Sequence, residues 1–294
     1  MPPPQQPMDF NIGGVFITVK ALAGTPSPLW WAAKAVRDGE EGALELATLL
    51  LKNLKNEGDV NDVGKDEDGF EGTPLWMAAI AACRGWAGGF ELVKLLIKTG
   101  ADINAVGTGD GVECTTLWMA AYAVHEEWAG GLELAMMLLE LCVDADVNAF
   151  GTDGDGQRFT PLLLASRAVC KGKAGALGLA KLLVQKGANV NVNIVGSVED
   201  GEHYCGDTPL LLAAQAVYYE EADGIELVKL LLEKGADVTA YQNFGNHKFR
   251  DGIEGNAMLW AAKAVLGGIA EDGWQLATLL GKRATVGRCR LTLL

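Results

Sequence analysis

Apolar residues recur at helical spacing in two kinds of segment, which alternate along the chain. The first kind opens with a small polar residue, usually followed by proline, as in Thr73-Pro74-Leu75-Trp76-Met77-Ala78-Ala79. Such a polar side chain can cap the unpaired N–H groups of a helix start, and proline has no N–H to leave unpaired. The second kind, such as residues 92–97, has apolar positions three and four apart, which predicts an amphipathic helix.

The two kinds of segment form a unit that recurs every 42 to 48 residues. The six units open at Ser27, Thr73, Thr115, Thr160, Thr208 and Asn256. Glycine follows the second helix at Gly100, Gly187 and Gly235, where a residue with positive φ closes the last turn. Turn-forming Asn and Asp come next. Because one such unit cannot bury its apolar face alone, neighbouring units must stack, which predicts a single elongated domain.

Two motifs keep their register in these units: Thr-Pro-Leu-x-x-Ala-Ala at the first helix, and Gly-Ala-Asp-Val-Asn-Ala, nearly intact in repeats 2 to 5, after the second. On these motifs the chain resembles the ankyrin repeat family. The resemblance implies an all-α fold, an ankyrin-type helical repeat solenoid with turn or β-hairpin fingers between helix pairs. It also implies that the fingers and first helices line a concave surface that binds a partner.

The expected repeats lie near 25–72, 73–114, 115–159, 160–207, 208–255 and 256–281, and together they form one ankyrin-repeat domain, 25–281. Residues 1–24 are expected to be a leader that is disordered in residues 1–7 and has an N-terminal cap strand at 15–19, half of a missing first finger. Residues 282–294 form a short basic tail. That tail is either a divergent cap or the end of a truncated or misread gene.

The repeats depart from the family in length and at one side chain. They exceed the family's usual length of about 33 residues, and part of the excess predicts an added turn on the first helix and a Gly-containing loop. The family's His in Thr-Pro-Leu-His is replaced by Trp in repeats 1 to 3 and by Leu afterwards. We expect Trp30, Trp76 and Trp118 to be core residues. We also expect apolar packing to replace the hydrogen bonding between repeats at this position.

Comparison of the six repeats with each other separates uniform positions from variable ones. Leucine recurs in the second helices, whereas the residue after the Ala pair, the end of the first helix and one loop position vary. Trp, Tyr and Arg at such variable positions are the residues that carry most interface energy. The predicted partner-binding residues are Arg84, Trp86, Tyr122, His125, Trp128, Arg167, Lys171, Tyr218 and Tyr219. Alternatively, Trp86 and Trp128 pin the long loop to the next repeat.

Charge and motif content exclude several classes of function. The formal charge of −14 disfavours nucleic acid and anionic membranes, and it favours a basic or mixed-charge protein partner. No apolar stretch approaches the length of a membrane helix. The cysteines lie singly, the three histidines lie far apart, and the Asp-rich loops lack the spacing of a calcium site. We therefore expect no metal and no cofactor. Without a phosphate-binding loop or a nucleophile motif, we expect no enzyme.

These observations predict a protein–protein interaction adaptor or scaffold, a monomer in the cytoplasm. Two alternatives stay open. The chain is the substrate-targeting subunit of an enzymatic complex such as a ubiquitin ligase, or it is a regulatory inhibitor that occludes another protein's active site. The residues outside the repeats carry no docking motif that would favour the ligase role.

Overall fold

The computed structural model describes the backbone of most of the chain and the side chains of the repeat core. Backbone is described for residues 8–12, 15–19, 26–53, 60–193, 195–197, 203–205, 207–242 and 255–291. Side chains are described for residues 26–53, 60–193, 207–240, 255–269 and 271–284. Most of the leader expected at 1–24 lies outside these residues. Its described part is two antiparallel strands, β1 (Met8–Ile12) and β2 (Val15–Val19), and β2 lies where the sequence predicts a strand.

The chain divides into two compact units, each described here by itself. Unit 1 comprises Met1–Ala123 and Trp128–Asp146, and unit 2 comprises Val124–Glu127 and Val147–Leu294. The helices of unit 1 are α1 (Pro28–Arg37), α2 (Ala43–Lys52), α3 (Pro74–Arg84), α4 (Gly89–Lys98) and α6 (Gly131–Leu141), and α5 (Thr116–His125) begins there. The helices of unit 2 are α7 (Pro161–Cys170), α8 (Ala176–Gln185), α9 (Pro209–Tyr218), α10 (Gly224–Glu233), α11 (Ala257–Leu266) and α12 (Ala270–Leu291).

Short antiparallel strands lie between the helix pairs. In unit 1 they are β3 (Gly64–Lys65), β4 (Glu71–Gly72), β5 (Val106–Gly109) and β6 (Val112–Thr115), and successive strands pair in that order. In unit 2 they are β7 (Gly151–Thr152), β8 (Arg158–Phe159), β9 (Val195–Ser197), β10 (His203–Cys205), β11 (Tyr241–Gln242) and β12 (Gly255–Asn256), which form three hairpins. Helix pairs with β-hairpin fingers are the architecture that the resemblance to the ankyrin repeat family implies.

Each first helix begins at the residue that the sequence predicts. The side-chain oxygens of Ser27 and Thr73 accept hydrogen bonds from the backbone N–H groups of Trp30 and Trp76, both at 3.3 Å. The openings of the other four repeats make the same bond. The cap satisfies an N–H group that would otherwise lack a partner at the buried helix start.

Every first helix also ends in the same way. The residue at one position has positive φ in all six repeats: Gly39, Gly85, Glu127, Gly172, Glu220 and Gly268. The next residue donates its backbone N–H to a carbonyl five residues earlier, as Trp86 does to Ala81 at 2.9 Å and Trp128 to Ala123 at 2.8 Å. This is the Schellman arrangement of a helix end. The lengthened segment between the helices therefore has a backbone conformation that does not depend on its side chains.

Trp30, Trp76 and Trp118 are buried, as the sequence predicts, and glycines in the fingers make room for the first two. Trp30 is 0% exposed and Trp76 is 2% exposed. A methyl group on Gly64 would lie 2.5 Å from the Trp30 ring, and one on Gly107 would lie 2.3 Å from the Trp76 ring. The finger strand therefore packs so closely against the first helix that a side chain larger than that of glycine would overlap the indole ring.

One expectation for this position was wrong. The indole N–H of Trp30 donates a hydrogen bond to the backbone carbonyl of Gly72, 2.7 Å away in strand β4, which leads into the first helix of the second repeat. A hydrogen bond from this side chain to the following finger therefore forms in addition to the apolar packing, because the indole nitrogen reaches a finger carbonyl. Leu163 and Leu211, which occupy the position in unit 2, are buried and have no such donor.

Asparagines after the second helices link each turn to the next. In unit 1 the side-chain oxygens of Asn61 and Asn104 accept hydrogen bonds from the backbone N–H groups of Asp102 and Asp146, at 2.7 and 2.8 Å. In unit 2, Asn191 accepts from the backbone of Asp237 at 2.8 Å. The asparagine of the second motif is therefore a connector between repeats as well as a turn former.

The last helix extends beyond the expected end of the repeats. We expected the sixth repeat to end near residue 281, and α12 continues to Leu291, so the basic segment begins inside a helix. Leu276 and Leu280 are buried, and α12 packs against α11 and α10. Within the described residues, no helix is long and apolar enough to cross a membrane.

The close contact between Gly107 and Trp76 predicts that Gly107→Ala destabilises the protein. The added methyl overlaps the buried ring, and such overpacking costs about 1 to 3 kcal/mol. Gly178→Ala is the matched control, because a methyl there meets nothing within 4 Å and alanine is the better helix former. Urea titration followed by circular dichroism should show a lower midpoint for Gly107→Ala and an unchanged or higher one for Gly178→Ala. Equal midpoints would show that the finger can move away.

Candidate functional site

Unit 1 contains a groove of about 460 Å³ between the β5–β6 hairpin and the first helices. The hairpin contributes Asp110 and Val112, and the helices α3 and α5 contribute Ile80, Met119 and aromatic side chains. The packing of Trp76 against Gly107, described above, holds the finger against the first helices that form the opposite wall.

Six of the fifteen residues that line the groove are aromatic. Tyr122 stacks on Trp118 with ring centroids 5.2 Å apart and planes inclined by 9°. Trp128 meets Tyr122 edge-on at 6.0 Å. On the other side, Phe70 lies against Trp76 at 6.3 Å. These rings support each other, so little side-chain freedom remains for a ligand to remove.

Four of the nine predicted partner-binding residues meet in this groove: Arg84, Trp86, Tyr122 and Trp128. Arg84 is exposed and lies over the Trp128 ring, with its guanidinium carbon 4.0 Å from the ring centroid. The Trp86 side chain is 44% exposed. Trp86 and Trp128 share one loop column of the repeat, whereas Arg84 and Tyr122 belong to two other columns, and the stacking of repeats 2 and 3 brings all four together.

Arg37 is a groove residue that sequence reasoning missed. Its guanidinium lies 2.8 Å from Asp66 and 2.9 Å from Asp38, and it also covers the face of Phe70 at 4.6 Å. The side chains of Arg37 and Asp66 are 7% and 1% exposed, so this is a buried ion pair. Arg37 occupies the same position of the repeat as His125, and this shared position could have identified it as a groove residue. Its ion-pair partner Asp66, in the following finger, cannot be inferred from sequence spacing.

Three more predicted residues lie together in unit 2. The pKa of His125 is lowered from 6.5, first by burial and then by the positive charges of Lys171 and Arg167, which outweigh the opposing effect of Glu126. His125 is only 7% exposed, so its ring offers little area to a partner. Arg167 lies over Phe159 at 4.7 Å, and Lys171 is exposed.

The last two predicted residues, Tyr218 and Tyr219, form a second aromatic cluster in unit 2. Their rings are 5.3 Å apart, and both contact Trp260, at 5.4 and 6.4 Å. The amine of Lys263 lies 4.5 Å from the Trp260 centroid. Trp260 and Lys263 were missed, although Lys263 follows the Ala pair of repeat 6 in the column that also contains Tyr122 and Arg167.

Comparisons with known proteins identify the repeat from which the chain is built. The family model for the ankyrin repeat matches residues 72–108, 157–195 and 205–243. Among solved structures, the ankyrin repeat protein EF0377 is 23% identical over 87% of this chain and 97% of its own, with a TM-score of 0.51. The chain has the ankyrin repeat fold. The Legionella pneumophila effector AnkC is 18% identical, over 94% of this chain and 72% of its own, with a TM-score of 0.48. A comparison with curated proteins gave no match.

Ankyrin repeats generally mediate protein–protein interaction, and proteins built from them are typically not enzymes.

The thiols near the groove fit a structural role, because burial raises the pKa of Cys114 to about 12 and also raises the pKa of Cys83. At neutral pH both stay protonated and are poor nucleophiles. Among the residues that the structure describes, no group of His, Cys, Asp and Glu side chains could hold a metal ion.

The Asp-rich loops of the ankyrin fingers are turns whose first aspartate organises the backbone. One carboxylate oxygen of Asp66 accepts hydrogen bonds from the N–H groups of Asp68 and Phe70, at 3.1 and 2.8 Å. Asp153 does the same for Asp155 and Gln157, at 3.1 and 2.9 Å. The two turns differ in one respect, since Asp66 also forms the buried pair with Arg37.

This difference predicts that Asp66→Asn destabilises the protein far more than Asp153→Asn. Asparagine preserves the turn acceptor in both, but at residue 66 it removes a buried negative charge that faces Arg37. Breaking such a pair costs about 2 to 4 kcal/mol after allowance for Asp38, the second partner of Arg37. Thermal and urea unfolding of the two variants and the wild type would measure the difference. A similar loss in both variants would assign the role of Asp66 to the turn alone.

The lowered pKa of His125 predicts a specific pH dependence of stability. Below pH 6.5 the unfolded chain binds a proton at this residue before the folded protein does, so folding becomes less favourable as pH falls toward the lowered pKa. Well above pH 6.5, His125 is neutral in both the folded and the unfolded protein, so its protonation does not change the stability there. The decrease in melting temperature between pH 7.5 and pH 5.5 should therefore be smaller in His125→Gln than in the wild type. Parallel decreases in the two proteins would contradict this account.

Proposed function

We propose that this chain is an interaction adaptor that binds a protein partner in the groove of unit 1, between the fingers and the first helices. The observation that supports the proposal is the convergence of Arg84, Trp86, Tyr122 and Trp128 on one preformed cavity. Trp, Tyr and Arg are the residue types that most often dominate interface energy. The cavity volume of about 460 Å³ lies in the range of sites that accept a ligand or the anchoring side chains of a peptide.

The backbone of the loop favours contact over loop pinning as the role of Trp86. The loop is already fixed by the helix-end hydrogen bond from the Trp86 N–H to the Ala81 carbonyl. The same bond forms where the side chain is that of Glu40, Lys173 or Glu221. Since the loop keeps its conformation with these polar side chains, it does not require an indole. A tryptophan that is 44% exposed at this position is therefore available to a partner.

A groove of this kind also suits specific recognition. Uniform positions, such as the buried Leu92, Leu134 and Leu227 of the second helices, maintain the stack. Positions along the groove vary from repeat to repeat without disturbing it. The preordered rings of Tyr122 and Trp128 lower the entropy cost of binding, because binding need not immobilise them.

Trp86→Ala is expected to weaken partner binding about 30-fold or more, the effect of losing a hot-spot residue worth about 2 kcal/mol. Trp31→Ala is the matched control, because Trp31 is 45% exposed but does not line the groove. The measurement is quantitative affinity capture from a lysate of the source organism. Each variant is compared only if its circular dichroism spectrum matches that of the wild type, which shows that it is folded. A protein captured by the wild type and by Trp31→Ala, but lost with Trp86→Ala, supports the proposal. Equal capture by all three proteins would place the interaction elsewhere.

A further inference from the structure

We infer that the groove recognises a segment in which one acidic residue lies beside a bulky apolar residue, and that Arg84 binds the carboxylate. This inference rests on the proposed function, because it assigns a partner chemistry to the same groove. It goes further by stating which side chain of the groove reads the partner's charge.

The two arginines of the groove are in opposite states. The donors of Arg37 are used inside the protein, by Asp66, Asp38 and the Met77 sulfur, which lies 3.6 Å away. Among the residues that the structure describes, no acceptor takes a hydrogen bond from Arg84 and no carboxylate pairs with it. Arg84 is therefore the groove arginine that remains available to a ligand.

Arg84 is also held in position for that role. Its guanidinium carbon lies 4.0 Å from the centroid of the Trp128 ring, and this cation–π contact restrains the group. The contact with the ring does not use the N–H groups of the guanidinium, for which the described residues supply no acceptor. Those N–H groups form a planar fork that matches the two oxygens of a carboxylate. Because the group is restrained before binding, forming this pair costs less side-chain entropy than it would for a free arginine.

The surface beside Arg84 is apolar. Ile80, Trp86, Met119 and Tyr122 line the same cavity. A large apolar side chain of the partner would be buried there while a neighbouring carboxylate meets the guanidinium. Removing apolar surface from water supplies the affinity, and the bidentate pair supplies the orientation.

The other charged residues of the groove favour a bound segment that has only one acidic residue. Asp38 and Asp110 also line the cavity, and the whole chain carries a formal charge of −14. A run of acidic residues would meet like charges and would also be repelled at long range. One carboxylate in an otherwise neutral or basic segment avoids both costs. This narrows the mixed-charge partner expected from the sequence.

The test is selection of random 12-residue peptides on the immobilised full-length chain, followed by fluorescence anisotropy of the selected peptides. Each peptide is measured with the wild type, Arg84→Gln, Arg84→Lys and Trp86→Ala. The control is Arg158→Gln, because Arg158 is also exposed and lies over an aromatic ring, that of Phe150 at 4.9 Å, but does not line the groove.

The expected result is enrichment of Asp or Glu next to a bulky apolar residue. Arg84→Gln should then weaken binding at least 10-fold, Arg84→Lys should weaken it less, and Arg158→Gln should leave it unchanged. Replacing the acidic residue of the peptide by its amide should have the same effect on the wild type and little effect on Arg84→Gln.

Two results would overturn the inference. Peptides that require Trp86 but show no acidic preference, or that bind Arg84→Gln as well as the wild type, would refute the role of Arg84 and leave the proposed groove intact. Failure to select any peptide that is lost in Trp86→Ala would count against both the inference and the proposed function.

Discussion

The structure depends on the burial of one face of each first helix against the next finger. A single helix pair has no other way to remove that face from water, so the contact between repeats is the core of the protein. In unit 1 the contact is a tryptophan against a glycine strand, and the indole N–H of Trp30 adds a hydrogen bond to the Gly72 carbonyl. The finger is thereby fixed relative to the helices, and the groove between them has a fixed shape.

Much of this arrangement could be predicted from the sequence, because its determinants are local. The capping residues, the glycines after the second helices and the buried tryptophans all lie where short-range rules place them. The columns of variable residues were also predictable, since they follow from aligning the repeats. The alignment of the repeats could not show which of the variable side chains are buried. At the end of the first helix, His125 was predicted to contact a partner, and it is only 7% exposed. Arg37 and Cys83 at the same position of the repeat are also buried, whereas Leu266 is exposed.

The remaining surprises come from pairs that are distant in the chain. In the sequence, the turn motif is sufficient to account for an aspartate at position 66. Only the fold reveals that the same carboxylate also pairs with Arg37. Trp86 and Trp128 occupy equivalent loop positions, but Arg84 and Tyr122 cover part of Trp128 and leave Trp86 half exposed. Equivalent sequence positions therefore acquire different roles from their neighbours in the next repeat.

This dependence on neighbours explains how one residue type serves both stability and recognition. Arg37 and Arg84 lie in adjacent columns at the ends of successive first helices. Arg37 meets a carboxylate from the next finger and becomes part of the core. Arg84 meets an indole, which restrains its guanidinium without using its N–H groups. In a stack of repeats, the chemistry offered to a partner is therefore decided by which donors the next repeat leaves unused.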